Sequence, residues 1–168
     1  MSDLDFLRNV TLLMEFEPSE HEAISKALKR TVHSEGEVIL EEGSSNRALH
    51  IIRSGKVRIS RRVDDRDVVL NDLIAGQTFG ELSILEDGFA TATVAAVTDC
   101  EILSLSVHDL AHFLGESPKA AAKFWRAIAL DLRTRLVQTN DIVRTYFEVN
   151  RALVENPTFR EAYAMCNR

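Results

Sequence analysis

Three zones separate along the chain by the spacing of their apolar positions. Residues 3–31 read as short helices, with Ser19 placed as the N-cap of a helix running through Ala27 and Leu28. His21 stands alone on the polar face of that helix, without the partner spacing a metal would need. From Glu35 to Leu105 the pattern changes to short β-rich runs punctuated by glycine. Gly36 to Leu40 is the first run, ended by Glu42-Gly43-Ser44-Ser45, and Leu49 to Ile52 is the second. In Lys56-Val57-Arg58-Ile59-Ser60, Val57 and Ile59 alternate with polar residues, which predicts a strand with one wet face. Asp64-Asp65 then turns the chain, Val68 to Leu70 and Leu73-Ile74 resume, and Thr93 to Val97 and Glu101 to Leu105 close the series. Closely spaced strands with glycine turns predict an antiparallel sandwich or barrel.

The third zone is helical. Ser106-Val107-His108-Asp109 has the form of a capping box, with a carboxylate three residues after the cap. The helix it opens ends near Gly115, and Pro118 starts another. No proline follows until Pro157, and Trp125, Ile128, Leu132, Leu136, Ile142, Tyr146, Val149 and Leu153 recur at mostly three- and four-residue steps. Such a stripe wants a partner. A second copy of the chain and the β domain itself compete for it. Thr139-Asn140-Asp141 interrupts the stripe with polar groups, either a functional feature or a solvated turn.

Composition narrows the field. The 168 residues suit one domain with a short appendage, and 45% hydrophobic with 27% charged residues is the balance of a globular protein. There is no apolar run long enough to span a bilayer, and the opening residues lack a signal-peptide pattern. A cytoplasmic protein without membrane attachment is therefore expected. The net charge of -6 repels phosphate backbones on average, which argues against broad nucleic-acid binding. Cys100 and Cys166 have no CxxC spacing; Cys100 reads as a strand residue and Cys166 as part of a tail. His108 and His112 share a helix face but lack a third ligand. Arg58, Arg61 and Arg62 are offset by Asp64, Asp65 and Asp67, as in a solvated hairpin tip. No GxSxG, no GxxxxGK[ST] and no nucleophile–base pair is present, so no enzymatic activity is expected.

The most informative stretch runs from Phe79 to Val94: Phe79-Gly80-Glu81-Leu82-Ser83-Ile84-Leu85, a short loop, then Ala90-Thr91-Ala92-Thr93-Val94. Glycine at position 80 lets a ligand approach the backbone, and the Glu81 carboxylate is an acceptor pair suited to a sugar hydroxyl. This stretch resembles the phosphate-binding cassette of the cyclic-nucleotide-binding domain family, which reads F-G-E-[LM]-[SA]-[LI]-L and then R-[ST/A]-A-T-V. The likeness extends to Gly36-x-x-Ile39-x-x-Glu42-Gly43, to Leu49-x-Ile51-Ile52-x-x-Gly55-x-Val57-x-Ile59, and to Gly76-x-x-Phe79-Gly80-Glu81, covering roughly residues 5–145.

The resemblance implies an α+β, mainly β fold: an antiparallel, jelly-roll-like β-roll with N-terminal helices and a long C-terminal helix. Residues 1–145 would form this domain and 146–168 a helical tail. Carried over by position, Phe79, Gly80, Glu81, Leu82 and Ser83 match the segment that holds ribose and phosphate, and Thr91 and Ala92 the residues beside the phosphate. Arg135 matches a helix arginine that pairs with the cassette glutamate, and Thr139 and Asn140 the polar pair that reaches the base. The ligand implied is a cyclic nucleotide such as cAMP or cGMP, or another small anion; no cofactor or metal is implied. One departure stands out. The phosphate-anchoring arginine of the family falls on Ala90, preceded by Phe89. Losing one partner of a buried charge pair costs about 2–5 kcal/mol, or roughly 30-fold to several-thousand-fold in affinity.

The implied function is a stand-alone regulatory or sensor module, homodimeric through its C-terminal helix, with weakened affinity for ordinary cyclic nucleotides. The alternative is a degenerate pocket serving as a ligand-free dimerisation or protein-interaction module, with an unknown protein partner. Relatives of the cyclic-AMP receptor type add a helix-turn-helix domain. Only 22 residues follow Tyr146 here, below the ~50 a domain needs, so DNA binding by this chain alone is not expected.

Overall fold

The computed structural model describes residues 2–64, 66–85 and 88–157. Three short helical elements open the chain: α1 (Asp3–Leu7), a 3-10 turn (Thr11–Leu13) and α2 (Pro18–Ala27). Ser19 is not the cap of α2. Pro18 takes the first helical position, where its missing N–H costs nothing, and Glu17 caps the helix in a reciprocal box with Glu20. His21 is buried rather than on a polar face; its two ring nitrogens lie 3.1 Å from the Glu17 carbonyl and 3.0 Å from that of Leu13.

Eight strands follow in two four-stranded antiparallel sheets. One sheet has the order β1 (Lys29–His33), β8 (Cys100–Ser106), β3 (Ala48–Ser54), β6 (Thr78–Phe79). The other has the order β2 (Val38–Leu40), β7 (Thr93–Ala96), β4 (Lys56–Val63), β5 (Arg66–Ile74). This is the β-roll the family resemblance implies. Strand β1 corrects the reading of residues 3–31 as wholly helical, and β6 was not among the anticipated runs. The anticipated runs at Val68 and Leu73 are one strand, kinked by a register shift between Ile59 and Ser60 of its partner. Asp64 has φ +46° at the tip of that hairpin, and the other half of the expected turn, Asp65, lies outside the described residues.

The two inner faces meet in a core that includes Ile52, Val57, Leu73, Phe79, Val94 and Ile102, with Cys100 buried among them. Each such side chain contributes about 1.5–3 kcal/mol over leaving it in water. Arg58 pairs with Asp72 at 2.8 Å and Arg61 with Glu42 at 2.8 Å, so these arginines belong to solvated ion pairs.

Ser106 caps α4 (Val107–Glu116) as expected: its hydroxyl oxygen accepts from the Asp109 N–H at 3.1 Å while its O–H donates to the Asp109 carboxylate at 2.6 Å. Ser117 then accepts from the Ala120 N–H, opening α5 (Pro118–Glu155), 38 residues long. Two compact units divide the chain at Ile128, Met1–Ile128 and Ala129–Arg168. In the first, Phe124 and Ile128 of α5 are buried, and Lys123 bonds Glu20 of α2 at 2.9 Å. Leu136, Ile142, Tyr146, Phe147 and Val149 of the second are exposed. Leu153 and Cys166 fall where no side chain is described. No helix among the described residues is long and apolar enough to cross a membrane.

Candidate functional site

Strand β6 delivers the cassette. Phe79 is buried, and the chain then turns through Gly80 at φ +83°. A Cβ at position 80 would lie 2.7 Å from Asn46 Nδ2, 2.9 Å from the Ala48 carbonyl oxygen and 3.1 Å from His50 Cδ2. Both the dihedral and the space therefore demand glycine. Glu81 follows with 3% exposure, and its carbonyl accepts from the Ile84 N–H at 3.1 Å to begin α3 (Leu82–Leu85), a single turn. Leu82 faces outward and Ser83 inward.

A buried polar network holds this turn to β3. The Asn46 amide donates to the Ala48 carbonyl at 3.1 Å and to Ser83 Oγ at 3.3 Å, and its oxygen accepts from the Ala48 N–H at 3.3 Å. Ser83 Oγ donates onward to the Phe89 carbonyl at 3.0 Å. His50 completes the set, with Nε2 3.0 Å from Asn46 Oδ1 and Nδ1 2.8 Å from Ser104 Oγ. Since Asn46 Oδ1 can only accept, the His50 proton is assigned to Nε2, and Nδ1 accepts from the Ser104 hydroxyl. Burial, and secondarily the nearby His33, lower the His50 pKa from 6.5 to about 4, so the neutral ring this pattern needs is the form present at neutral pH. The ring also stacks on Phe79, 4.8 Å between centroids. All four hydrogen-bonding positions of the Asn46 amide are thereby used, which is what makes its burial affordable.

The return segment is stitched to the residues ahead of β3. The Gly43 N–H donates to the Ala90 carbonyl at 2.8 Å, the Ala90 N–H to Ser44 at 2.9 Å, and the Asn46 N–H to Gly88 at 2.6 Å. The Ala90 methyl is buried at 4% exposure. Phe89 is 58% exposed, so its ring fills no buried space that an arginine would otherwise occupy. Thr91 is exposed and Ala92 half-buried, and the Glu42 N–H donates to Thr93 Oγ1 at 3.1 Å.

Phe79, Gly80, Glu81, Leu82, Ser83, Ala90, Thr91 and Ala92 thus all lie in the first unit, along the segment that runs from β6 to β7. Arg135, Thr139 and Asn140 lie on α5 in the second unit. There Arg135 pairs with Asp131 at 2.8 Å, the Thr139 hydroxyl donates to the Arg135 carbonyl at 2.9 Å, and Asn140 is exposed. Sequence reasoning did not single out Asn46, His50 and Ser104. They are ordinary polar residues spread over two strands and a loop, and no spacing along the chain pairs them.

The family model of the cyclic nucleotide-binding domain matches residues 30–117. A CRP-like cAMP-activated global transcriptional regulator of Mycobacterium tuberculosis is 29% identical over 142 residues, covering 84% of this chain and 63% of that protein. The human potassium/sodium hyperpolarization-activated cyclic nucleotide-gated channel 3 is 32% identical over 136 residues, 81% of this chain and 17% of the channel. Among solved structures, the Thermus thermophilus catabolite activator protein superposes with a TM-score of 0.69 at 28% identity, covering 79% of this chain and 63% of that one. This chain thus spans less than two thirds of each of these relatives. The matched residues contain all eight strands but the first residue of β1, together with the whole cassette, and the chain belongs to the cyclic nucleotide-binding domain family.

Proposed function

We propose that this chain is a regulatory module that binds a cyclic nucleotide, or a similar small anion, at the cassette and relays binding through the C-terminal helix. The observation that carries the reading is the Gly80–Glu81 turn. A left-handed glycine with no room for a side chain is followed by a carboxylate buried to 3% exposure, an arrangement suited to gripping a sugar hydroxyl. Two relatives of this domain, the cAMP-activated Mycobacterium regulator and the cyclic nucleotide-gated channel, are themselves named for cyclic nucleotides. Glu81, Gly80, Leu82, Ser83 and Thr91 are assigned to ligand contact, and the family resemblance gives Arg135, Thr139 and Asn140 of α5 as further ligand residues. A ligand moves that helix only through unequal affinity for two of its arrangements. No catalytic step belongs to this function, and its setting is the cytoplasm.

Ala90 sets the expected affinity. Titration calorimetry with cAMP and cGMP on the native chain and on Ala90→Arg tests the reading. Restoring an arginine there should tighten binding by about 30-fold or more. Native binding that Ala90→Arg leaves unchanged would show that position 90 is not the anchor. Silence from both proteins would favour the second reading, a ligand-free dimerisation or protein-interaction module. That reading draws on the exposed Leu136, Ile142, Tyr146 and Phe147 of α5, an apolar stripe suited to a second copy. Sedimentation of Leu136→Asp and Ile142→Asp against the native chain tests the homodimer, which these charges should dissociate.

A further inference from the structure

We propose that Arg47 supplies the cation the cassette lacks at position 90, contacting the anionic group of the ligand from the Gly43–Arg47 segment, which is hydrogen-bonded to Gly88 and Ala90. This inference rests on the reading of the cassette as an anion-ligand site. Most cations of the first unit are already neutralised. Arg30 pairs with Asp3 and Glu101, Lys56 and Arg58 with Asp72, Arg61 with Glu42, and Lys123 with Glu17 and Glu20. Arg47 is different. It is exposed, and among the described residues its guanidinium has neither an ion pair nor a hydrogen bond.

Its position is set by the return segment. A Cβ on Gly88 would lie 3.5 Å from Arg47 Cγ and 3.6 Å from Arg47 Nε, so the stem of the arginine lies across the glycine. The backbone on both sides is held: the Asn46 N–H donates to the Gly88 carbonyl at 2.6 Å, and the Arg47 carbonyl accepts from the Val107 N–H at 2.9 Å. Ala90, where the family places its arginine, is two residues beyond Gly88 and bonds Gly43 and Ser44 on the Arg47 side. Two residues of extended chain span about 7 Å, a length within the reach of an arginine side chain. The guanidinium presents a planar fork of donors that matches two oxygens of a phosphate. A charge moved from position 90 to position 47, on the segment bonded to it, keeps a donor fork beside the cassette.

The test measures cAMP binding by calorimetry in native protein, Arg47→Gln, Ala90→Arg and the double variant Arg47→Gln/Ala90→Arg, each at 0.05 M and 0.5 M salt as nominal low and high values. Arg47→Gln should weaken binding about tenfold and flatten its salt dependence, since an exposed ion contact is screened and a neutral amide is not. The double variant should recover the loss. Adenosine, which lacks the phosphate, should bind native protein and Arg47→Gln alike. Equal cAMP affinity and equal salt dependence in native protein and Arg47→Gln would overturn the role of Arg47 while leaving the cassette reading intact. Native silence with binding by Ala90→Arg would overturn it too, since the scaffold would then be sound and Arg47 inadequate. Silence from all four proteins would overturn both. Arg47 is exposed, so unchanged melting of Arg47→Gln should accompany any loss of binding.

Discussion

Gly80→Ala tests the geometry of the cassette most directly, and Gly36→Ala is its control. The two glycines have nearly the same dihedral, φ +83° and φ +82°, so alanine pays the same left-handed cost of about 1–2 kcal/mol at each. They differ in space. At Gly36 no atom lies within 4 Å of the added carbon, whereas at Gly80 it meets Asn46 Nδ2 at 2.7 Å and the Ala48 carbonyl at 2.9 Å. The amide could swing aside only by breaking the network, and the carbonyl belongs to a paired strand. Overpacking of this kind costs about 1–3 kcal/mol. Gly80→Ala should therefore lose about 2–5 kcal/mol in total and Gly36→Ala about 1–2. For a chain of this size the larger loss is roughly 4–20 °C in Tm. Urea unfolding followed by far-ultraviolet circular dichroism measures both, with equal m-values as the condition for comparison. If the two variants agreed within about 0.5 kcal/mol, the crowding around Gly80 would not exist in solution.

Asn46→Ala should destabilise by about 2–4 kcal/mol in the same assay, because it leaves the His50 Nε2–H and neighbouring groups buried without partners; a loss under 1 kcal/mol would mean that water replaces the amide. His50 makes stability depend on pH in a defined direction. The unfolded ring takes up a proton below about 6.5 and the folded ring only near 4, so unfolding binds a proton in that window and stability falls as pH falls through it. The contribution is about 2 kcal/mol lost by pH 5, and urea midpoints of His50→Gln should be flatter between pH 7 and pH 5 than those of the native chain. Ser106→Ala should cost about 1 kcal/mol through loss of the α4 cap, and Ser106→Asp should restore most of it; equal midpoints for all three would refute the cap.

Strand β4 reads correctly from the sequence because its side chains alternate between a buried and a wet face. Val57 and Ile59 alternate with Lys56, Arg58 and Ser60, and the strand lies where that pattern puts it. Strand β1 has no such alternation. Lys29-Arg30-Thr31-Val32-His33 buries none of its five residues, and Val32 stands 74% exposed. Its strand conformation comes from backbone pairing with β8 along the sheet edge, which leaves no mark on hydropathy. Strand β6, two residues long, is too short for a period to register. At the cassette, Gly80 and Glu81 were legible through the family resemblance, and only the glycine is demanded by the local backbone, at φ +83° with no room for a Cβ. Asn46, His50, Ser83 and Ser104 were not legible as a set, since the hydrogen bonds joining them exist only once β3, β8 and the turn are assembled. The cap of α2 fell to Glu17 rather than Ser19 because Pro18 starts the helix one residue before the serine.

The bonds between Gly43–Asn46 and Gly88–Ala90 have a consequence for how this domain breathes. Three amide protons, on Gly43, Asn46 and Ala90, are sealed between two segments more than forty residues apart in the chain. Each exchanges with deuterium only after its bond across the two segments breaks, and a parting of the segments would release all three together. A molecule seated in the cassette would slow all three by the same factor. The Gly43 amide, far from Gly80 in sequence, would then serve as a clock for occupancy of the cassette.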